Sequence, residues 1–487
     1  MSKYKIFAQR IGLISATNLL LNLNGIFLLP ILTKNMPIQD YGTYAEIMVT
    51  IGLVPSIAML GLSFTMVRFL PSLKKKEEIQ EVFYSIFFMV LFTEGIASFL
   101  IYVFSGLIAF YLFDNNIVVV KILSILVFVQ GLNDFLTDYL RAKQLIKKYS
   151  IISLINTIIQ ILLISFFVLR GYGILGATIG LLITSLVILL ILSYIIILNL
   201  GIRLPRFTNL RTYLNFGIPT VPANLSNWIV NSSDRYVIGI LLGTAYVGYY
   251  SPGYALGTTI GMFTAPFAFI LPAALSEYYD NKKIEEVNKI LSYSFKYFLM
   301  FSIPATFGLS LLSKSILSIL STPKIASEGF IITPLVAIST LLFGAYAIIC
   351  QILILEKKTK ITGIVWIIAA ILNLGLNFVL IPYFGIAGAA ITTLFAFMFS
   401  FAITAYYSLK ASKFDLKISF FLKSIFASII MSLVIVEVHP TDLFNILITI
   451  CICATVYFVV LFLLKGFEKE EFEFLNGIIR TNKASAE

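Results

Sequence analysis

The sequence predicts an all-α integral membrane protein of about 14 transmembrane helices: two parallel six-helix lobes around a central cavity, plus two C-terminal helices. Three observations carry this prediction. The chain holds about fourteen apolar stretches, and some 20 apolar residues in helix span a bilayer core roughly 30 Å thick. Its lysines and arginines fall almost all on one side of those stretches. Its two halves also repeat each other at a near-constant offset. Composition agrees: 59% of residues are hydrophobic and 12% charged, with a mean hydropathy of +0.97, where a soluble chain carries about 25% charge. In a soluble protein a net charge of +11 would point to nucleic acid. Here it reports topology, and no nucleic-acid partner is expected.

The stretches fall at residues 11–32, 43–70, 82–112, 117–140, 149–170, 173–199, 214–242, 245–275, 290–320, 329–355, 361–382, 385–409, 421–438 and 442–464. The first follows a basic segment, Met1 to Arg10. No small-residue cleavage site follows that segment, and the stretch is long enough to span, so it reads as a helix rather than a signal peptide. The second opens on Tyr41-Gly42-Thr43-Tyr44-Ala45 and closes near Arg68 and Pro71. The third carries Glu94 near its centre. On the fourth, Asp134 and Asp138 share a face, and Arg141 follows three residues on. Gly171–Gly173 joins the fifth and sixth, and Pro382–Gly385 the eleventh and twelfth, as tight turns. The seventh holds Asn224, Asn227, Asn231, Asp234 and Arg235. The acidic run from Glu468 to Glu473 reads as a solvated amphipathic end.

Orientation follows from a count. With the N-terminus inside, the inner segments hold 27 Lys and Arg and the outer segments 3, namely Lys34, Arg170 and Lys324. Positive residues are retained on the cytoplasmic side, so both termini are expected there, in the cell membrane. The loops are short on both faces.

The repeat is read from four matches. Tyr41-Gly42-Thr43-Tyr44-Ala45 pairs with Val247-Gly248-Tyr249-Tyr250-Ser251, and Asn18-Leu19 with Asn224-Leu225, at offset 206. Lys147-Lys148 pairs with Lys357-Lys358 at offset 210, and Gly173-Ile174-Leu175-Gly176-Ala177 with Gly385-Ile386-Ala387-Gly388-Ala389 at offset 212. The unit is six helices, an even number, so both copies share one orientation. Parallel repeats imply two lobes about an axis normal to the membrane, an arrangement used by transporters. The expected domains are residues 1–200, 201–410, two added helices in 411–465, and a cytoplasmic tail, 466–487.

Several of these pieces carry a family likeness. They are Tyr41-Gly42-Thr43-Tyr44; Gly61-Leu62-Ser63 followed by Arg68; Ser233-Asp234-Arg235 through Gly243 with Val247-Gly248-Tyr249-Tyr250-Ser251; and Asn373-Leu374-Gly375-Leu376-Asn377 leading to Ile381-Pro382-Tyr383-Phe384-Gly385-Ile386-Ala387-Gly388-Ala389-Ala390. On them the chain resembles the multidrug/oligosaccharidyl-lipid/polysaccharide exporter superfamily, and within it the Wzx-type polysaccharide or O-antigen flippases. The resemblance implies movement of a polyprenyl-(di)phosphate-linked oligosaccharide from the inner to the outer face of the cytoplasmic membrane. The implied partners are that lipid-linked sugar, membrane lipids, and glycosyltransferases and a polymerase of the same pathway. Drug-exporting relatives often carry an acidic residue in helix 1. Here that helix has Asn18, Asn22 and Asn24 but no carboxylate, and Asp234 could serve instead. A lipid II flippase and a cation-coupled small-molecule antiporter stand as alternatives. A polysaccharide polymerase or ligase would need a large outer loop, and the short outer loops argue against one.

A polar sugar and its phosphates cannot be solvated by hydrocarbon, so a water-filled cavity with cationic groups is required. Arginine suits phosphate because its planar fork pairs bidentately. Charges inside membrane helices are functional candidates by default. The candidates are Arg68, Asp234, Arg235, Lys296 and Glu94, with Asn18 and Asn224 as amides for sugar hydroxyls. Each has a structural alternative. Arg68 and Lys296 could snorkel, Asp234 and Arg235 could form an interlobe ion pair, Glu94 could pair with an arginine, and the amides could be interhelical glue. Asp234 and Arg235 correspond to Leu28 and Leu29 in the repeat, so the charges are specific to the second copy.

No enzyme is indicated: there is no Walker lysine loop, HExxH or Gly-x-Ser-x-Gly elbow. Cys350, Cys451 and Cys453 sit in apolar runs, and the lone His439 sits in an expected outer loop, so neither a disulfide framework nor a metal site is expected. No cofactor is implied, and energy would come from coupling to H+ or Na+ or from the substrate's own gradient. A reporter fused after Glu487 is expected to read as cytoplasmic. Exposure of that reporter at the outer face would contradict the even helix count.

Overall fold

The computed structural model describes residues 24, 25 and 27–467, and among the described residues every regular element is a helix. In chain order these are α1 (27–35), α2 (Ile38–Ala58), α3 (Leu62–Phe69), α4 (Lys76–Val103), α5 (Ser105–Leu112), α6 (Ile117–Ala142), α7 (Ile146–Leu169), α8 (Gly173–Leu200), α9 (Leu210–Gly217) and α10 (Val221–Leu242). Then follow α11 (Thr244–Thr258), α12 (Ala265–Asp280), α13 (Ile284–Leu320), α14 (Pro323–Gly329), α15 (Ile332–Ile349), α16 (Gln351–Leu355), α17 (Thr359–Phe384), α18 (Ile386–Ala411), α19 (Ile418–Val438) and α20 (Leu443–Leu463).

Among the described residues, 11 helices are long and apolar enough to cross a membrane, or 12 if α2 and α3 form one bent span. The expected fourteen are not reached by this measure, for two reasons. Residues 11–32 lie largely outside the described residues. The stretch 214–242 is helical, but α10 carries three asparagines, Asp234 and Arg235 within 22 residues, which lowers its apolar character below that of its neighbours. The expected tight turns are present: α7 gives way to α8 between Leu169 and Gly173, and α17 to α18 between Phe384 and Ile386.

One expected helix is broken. The stretch 43–70 divides into α2 and α3, bent by 61°. Leu60 has φ +51° and Gly61 φ +69°, a left-handed region that only glycine enters at no steric cost. A Cβ at Gly61 would also collide with the Gly217 carbonyl and the Thr220 hydroxyl. The bend and this close approach therefore need the same residue.

The chain divides into two compact units. Unit one comprises Met1–Ala255, Leu320–Ile332 and Gly363–Ala396. It holds two apolar cores, one built around Leu62, Met66, Phe83 and Phe135, the other around Leu32, Ile47, Phe113 and Val127. Unit two comprises Leu256–Ile319, Thr333–Thr362 and Phe397–Glu487, and its core includes Leu275, Leu291, Phe298, Ile349 and Tyr457. The repeat junction near residue 200 lies within unit one, where residues 201–209 are fastened along the start of α4. Gln80 Nε2 donates to the Leu200 carbonyl at 2.6 Å, Tyr84 donates to the Gly201 carbonyl, and the Glu81 carboxylate accepts the Arg206 amide at 2.9 and 3.0 Å.

Within unit one, α2 packs against α10 and α11 through glycines. A Cβ at Gly42 would overlap the Thr244 carbonyl and stand 3.1 Å from the Gly248 amide nitrogen, and one at Gly248 would strike the Ile38 carbonyl. Gly42 and Gly248 are the equivalent glycines of the two repeat motifs, so the motifs meet each other. Overpacking costs about 1–3 kcal/mol, and Gly42→Ala is expected to lower the melting temperature of the purified protein accordingly. Gly363→Ala, which meets nothing within 4 Å, is the matched control and should melt at or above the parent temperature.

Candidate functional site

The candidate site in unit one is organised around Asp234 and Arg235 on α10. Adjacent helical residues diverge by about 100°, so the sequence does not require them to pair. In the folded chain they do. Arg235 Nη1 donates to Asp234 Oδ1 at 3.3 Å and to the Asn231 carbonyl at 3.3 Å. Asp234 is fully buried, and the Arg235 side chain is 13% exposed. Asp234 Oδ1 also accepts the Arg235 backbone amide at 2.8 Å, and its Oδ2 accepts the Tyr250 hydroxyl of α11. The guanidinium lies 4.3 Å from the Tyr254 ring centroid and 5.9 Å from that of Tyr250, within cation–π range. The Tyr254 hydroxyl donates to the Asn231 carbonyl at 2.8 Å.

This geometry assigns the carboxylate a positioning task. The hydrogen bonds of Arg235 to Asp234 and to the Asn231 carbonyl both use Nη1, and a guanidinium carries five N–H donors in a planar fork. The Tyr254 hydroxyl is a further hydrogen-bond partner of the guanidinium, and the planar donor fork is of the kind that matches phosphate or carboxylate.

A second polar network begins one residue earlier. Ser233 Oγ donates to Asn373 Oδ1 at 3.5 Å, and Asn377 Nδ2 donates to the same oxygen at 3.3 Å. Thr392 Oγ1 donates to Asn377 Oδ1 at 2.5 Å, and Asn373 Nδ2 to Thr393 Oγ1 at 3.5 Å. Asn373, Asn377, Thr392 and Thr393 are fully buried. The network ties α10 to α17 and α18 beside the charged pair.

Two glutamates are buried without hydrogen bonds. Among the described residues, neither carboxylate oxygen of Glu94 or of Glu46 has a partner, and both residues are fully buried. Glu94, on α4, sits against Gly131 of α6. Glu46, on α2, sits against Gly239 of α10, one turn beyond Arg235. A buried polar group left unsatisfied costs about 1–3 kcal/mol, and such residues in membrane helices are functional candidates by default. Glu94 is legible on that criterion. Glu46 meets it equally and was missed, although it directly follows the Tyr41–Ala45 motif.

The remaining candidates are spread out. Arg68 is exposed in the last turn of α3, just before Pro71. Asn224 lines a polar cavity of unit one. Asn18 lies outside the described residues. Lys296 belongs to unit two, where it is 1% exposed and its Nζ is 5.2 Å from the Phe420 ring centroid. Unit two also holds an apolar cavity of about 370 Å³, formed by Phe263, Met300, Phe301 and Pro304 on one side and Met431, Tyr457 and Phe458 of α19 and α20 on the other.

Known proteins bear on this arrangement. The sequence profile of the family described as "Polysaccharide biosynthesis protein" matches residues 31–327. A probable low-salt glycan biosynthesis flippase of Haloferax volcanii is 24% identical over 210 residues, 43% of this chain and 44% of that protein. A probable flippase of the same organism is 27% identical over 176 residues, 35% of this chain and 36% of that protein. The chain thus spans less than half the length of either curated relative. Among solved structures, the lipid II flippase MurJ in an inward closed conformation matches with a TM-score of 0.77 and 21% identity, covering 93% of this chain and 98% of that one. An inward-facing multidrug resistance MATE family transporter of the MOP superfamily matches with a TM-score of 0.66 and 15% identity, covering 81% and 97%. At these identities the likeness is one of fold.

The Asp234 contacts make a stability prediction. Hydrogen bonds to charged groups contribute about 1.5–3 kcal/mol, so Tyr250→Phe, which deletes the bond to Oδ2, should lower the melting temperature measurably.

Proposed function

The chain belongs to the polysaccharide biosynthesis protein family, and on that premise we propose that it is a flippase. It carries a polyprenyl-(di)phosphate-linked oligosaccharide from the inner to the outer face of the cytoplasmic membrane, with both termini cytoplasmic. The two lobes of the internal repeat alternate in exposing the substrate to either side. The flippase descriptions of the archaeal relatives support this reading, and so does the shared fold with the lipid II and MATE transporters. The protein breaks no covalent bond of its substrate, and movement is driven by coupling to H+ or Na+ or by the substrate's own gradient.

The observation that carries the reading is Arg235. A guanidinium buried in α10, held by Asp234 and Tyr254, is the group an anionic lipid phosphate requires. Arg68 receives the phosphate at the inner mouth and passes it inward. The sugar stays among hydroxyls and amides. Glycosyltransferases that build the oligosaccharide act before this step, and a polymerase after it.

Reconstitution in liposomes with a fluorescent polyprenyl diphosphate oligosaccharide tests the assignment. Arg235→Ala is expected to slow translocation at least about tenfold, the equivalent of losing about 1.4 kcal/mol, and Arg235→Lys to fall between alanine and the parent. An alanine variant moving lipid at the parental rate would remove Arg235 from the pathway. A parent protein that moves peptidoglycan precursor but not other lipid-linked glycans would instead favour the lipid II reading.

A further inference from the structure

Unit one contains a polar cavity of about 480 Å³ to which the phosphate route assigns no task. Its size falls within the range of roughly 300–1,000 Å³ typical of small-molecule sites. It is built from α2, α3, α6, α7 and α10, with Ser56, Thr137, Asp138, Arg141, Tyr149 and Asn224 among its walls.

Its charge does not select an anion. Asp134 and Asp138 face one base, Arg141, whose Nη1 donates to Asp138 Oδ1 at 2.9 Å. Gln130 Nε2 donates to Asp134 Oδ1 at 2.8 Å. The one cation is already paired to a carboxylate, so the wall offers phosphate no free positive charge.

Its hydrogen-bonding groups suit hydroxyls. Asp134 Oδ2 and Asp138 Oδ2 accept no hydrogen bond among the described residues, and there the side chains of Thr137, Tyr149 and Asn224 make none. The cavity thus presents open acceptors, an amide with both donors and an acceptor, and two groups that can do either. A sugar ring, with neighbouring hydroxyls that each donate and accept, satisfies such a set. Gly52 is one of the lining residues, and a Cβ there would stand 3.8 Å from Trp228 Nε1. The indole therefore lies beside the cavity.

We propose that this cavity is a saccharide subsite for an uncharged sugar residue of the substrate, separate from the phosphate contact of Arg235. The assignment rests on the flippase reading above and adds that head-group recognition is divided: the phosphate is read by Arg235, and the sugar by α6 and its neighbours.

The test compares two probes on the full-length protein in nanodiscs. One is a bare polyprenyl diphosphate, the other the same lipid bearing a neutral N-acetylhexosamine. Affinities are measured by calorimetry. Fluorescence in a Trp366→Phe background, which leaves Trp228 as the one remaining tryptophan of two, reports on the cavity. The sugar-bearing lipid should bind at least tenfold more tightly and alone change the Trp228 signal. In Thr137→Val and in Tyr149→Phe, which leave the charges in place, the two affinities should converge, with binding of the bare lipid unchanged. Equal affinities in the parent, or a preference that survives in both variants, would overturn the subsite and leave the flippase reading standing. Failure of the parent to bind either lipid would remove the flippase reading, and the subsite with it.

Discussion

Helices α2, α10 and α11 approach until side chain or backbone rests directly on glycine, and much of unit one depends on that contact. Lipid tails are as apolar as leucine, so no hydrophobic force drives one membrane helix onto another, and close packing has to supply the attraction. Gly42 and Gly248 allow it by leaving room for the Thr244 and Ile38 carbonyls. These glycines occupy matching positions in the two copies of the repeat, so the same device is presented from both sides of one contact. The approach also places Glu46 against Gly239 and brings Tyr250 and Tyr254 over Arg235.

That packing governs how charge is tolerated. A carboxylate in an apolar bundle is expensive unless its oxygens are satisfied. Asp234 is satisfied completely, by a hydroxyl, a backbone amide and a guanidinium. Arg235 is held in turn by Asp234, the Asn231 carbonyl and the Tyr254 ring. Lys296 in unit two lies over the Phe420 ring, a different way of burying a cation. Glu46 and Glu94 have neither arrangement, which separates them from the structural charges and makes them the groups to examine for energy coupling.

Much of the fold was legible because its signals are local and repeated. Apolar runs of about 20 residues, the Gly171–Gly173 and Pro382–Gly385 turns, and the charged groups on α10 are all visible along the chain. The bend at Leu60–Gly61 was not, because an apolar run reads the same whether its helix is straight or broken. What requires the break is the Gly217 carbonyl, about 150 residues away. The polarity of α10 was legible, but its consequence for the helix count was not. The pairing of Asp234 with Arg235 was hidden for a related reason: helical geometry points the two apart, and burial with Tyr250 draws them together.

By itself, the sequence determined that this is a multi-pass membrane protein, and it carried the charge asymmetry and the repeated motifs from which an orientation and a six-helix unit are expected. Those properties are sums over many residues, each sensing only the local solvent. The tertiary structure alone decided which polar groups meet, which of them are satisfied, and where space remains. Glu46 became notable only when its neighbour proved to be Gly239, and Thr137 and Tyr149 only when their helices placed them around one cavity with Asn224. Such contacts join residues far apart in the chain, and no periodicity along the chain records them.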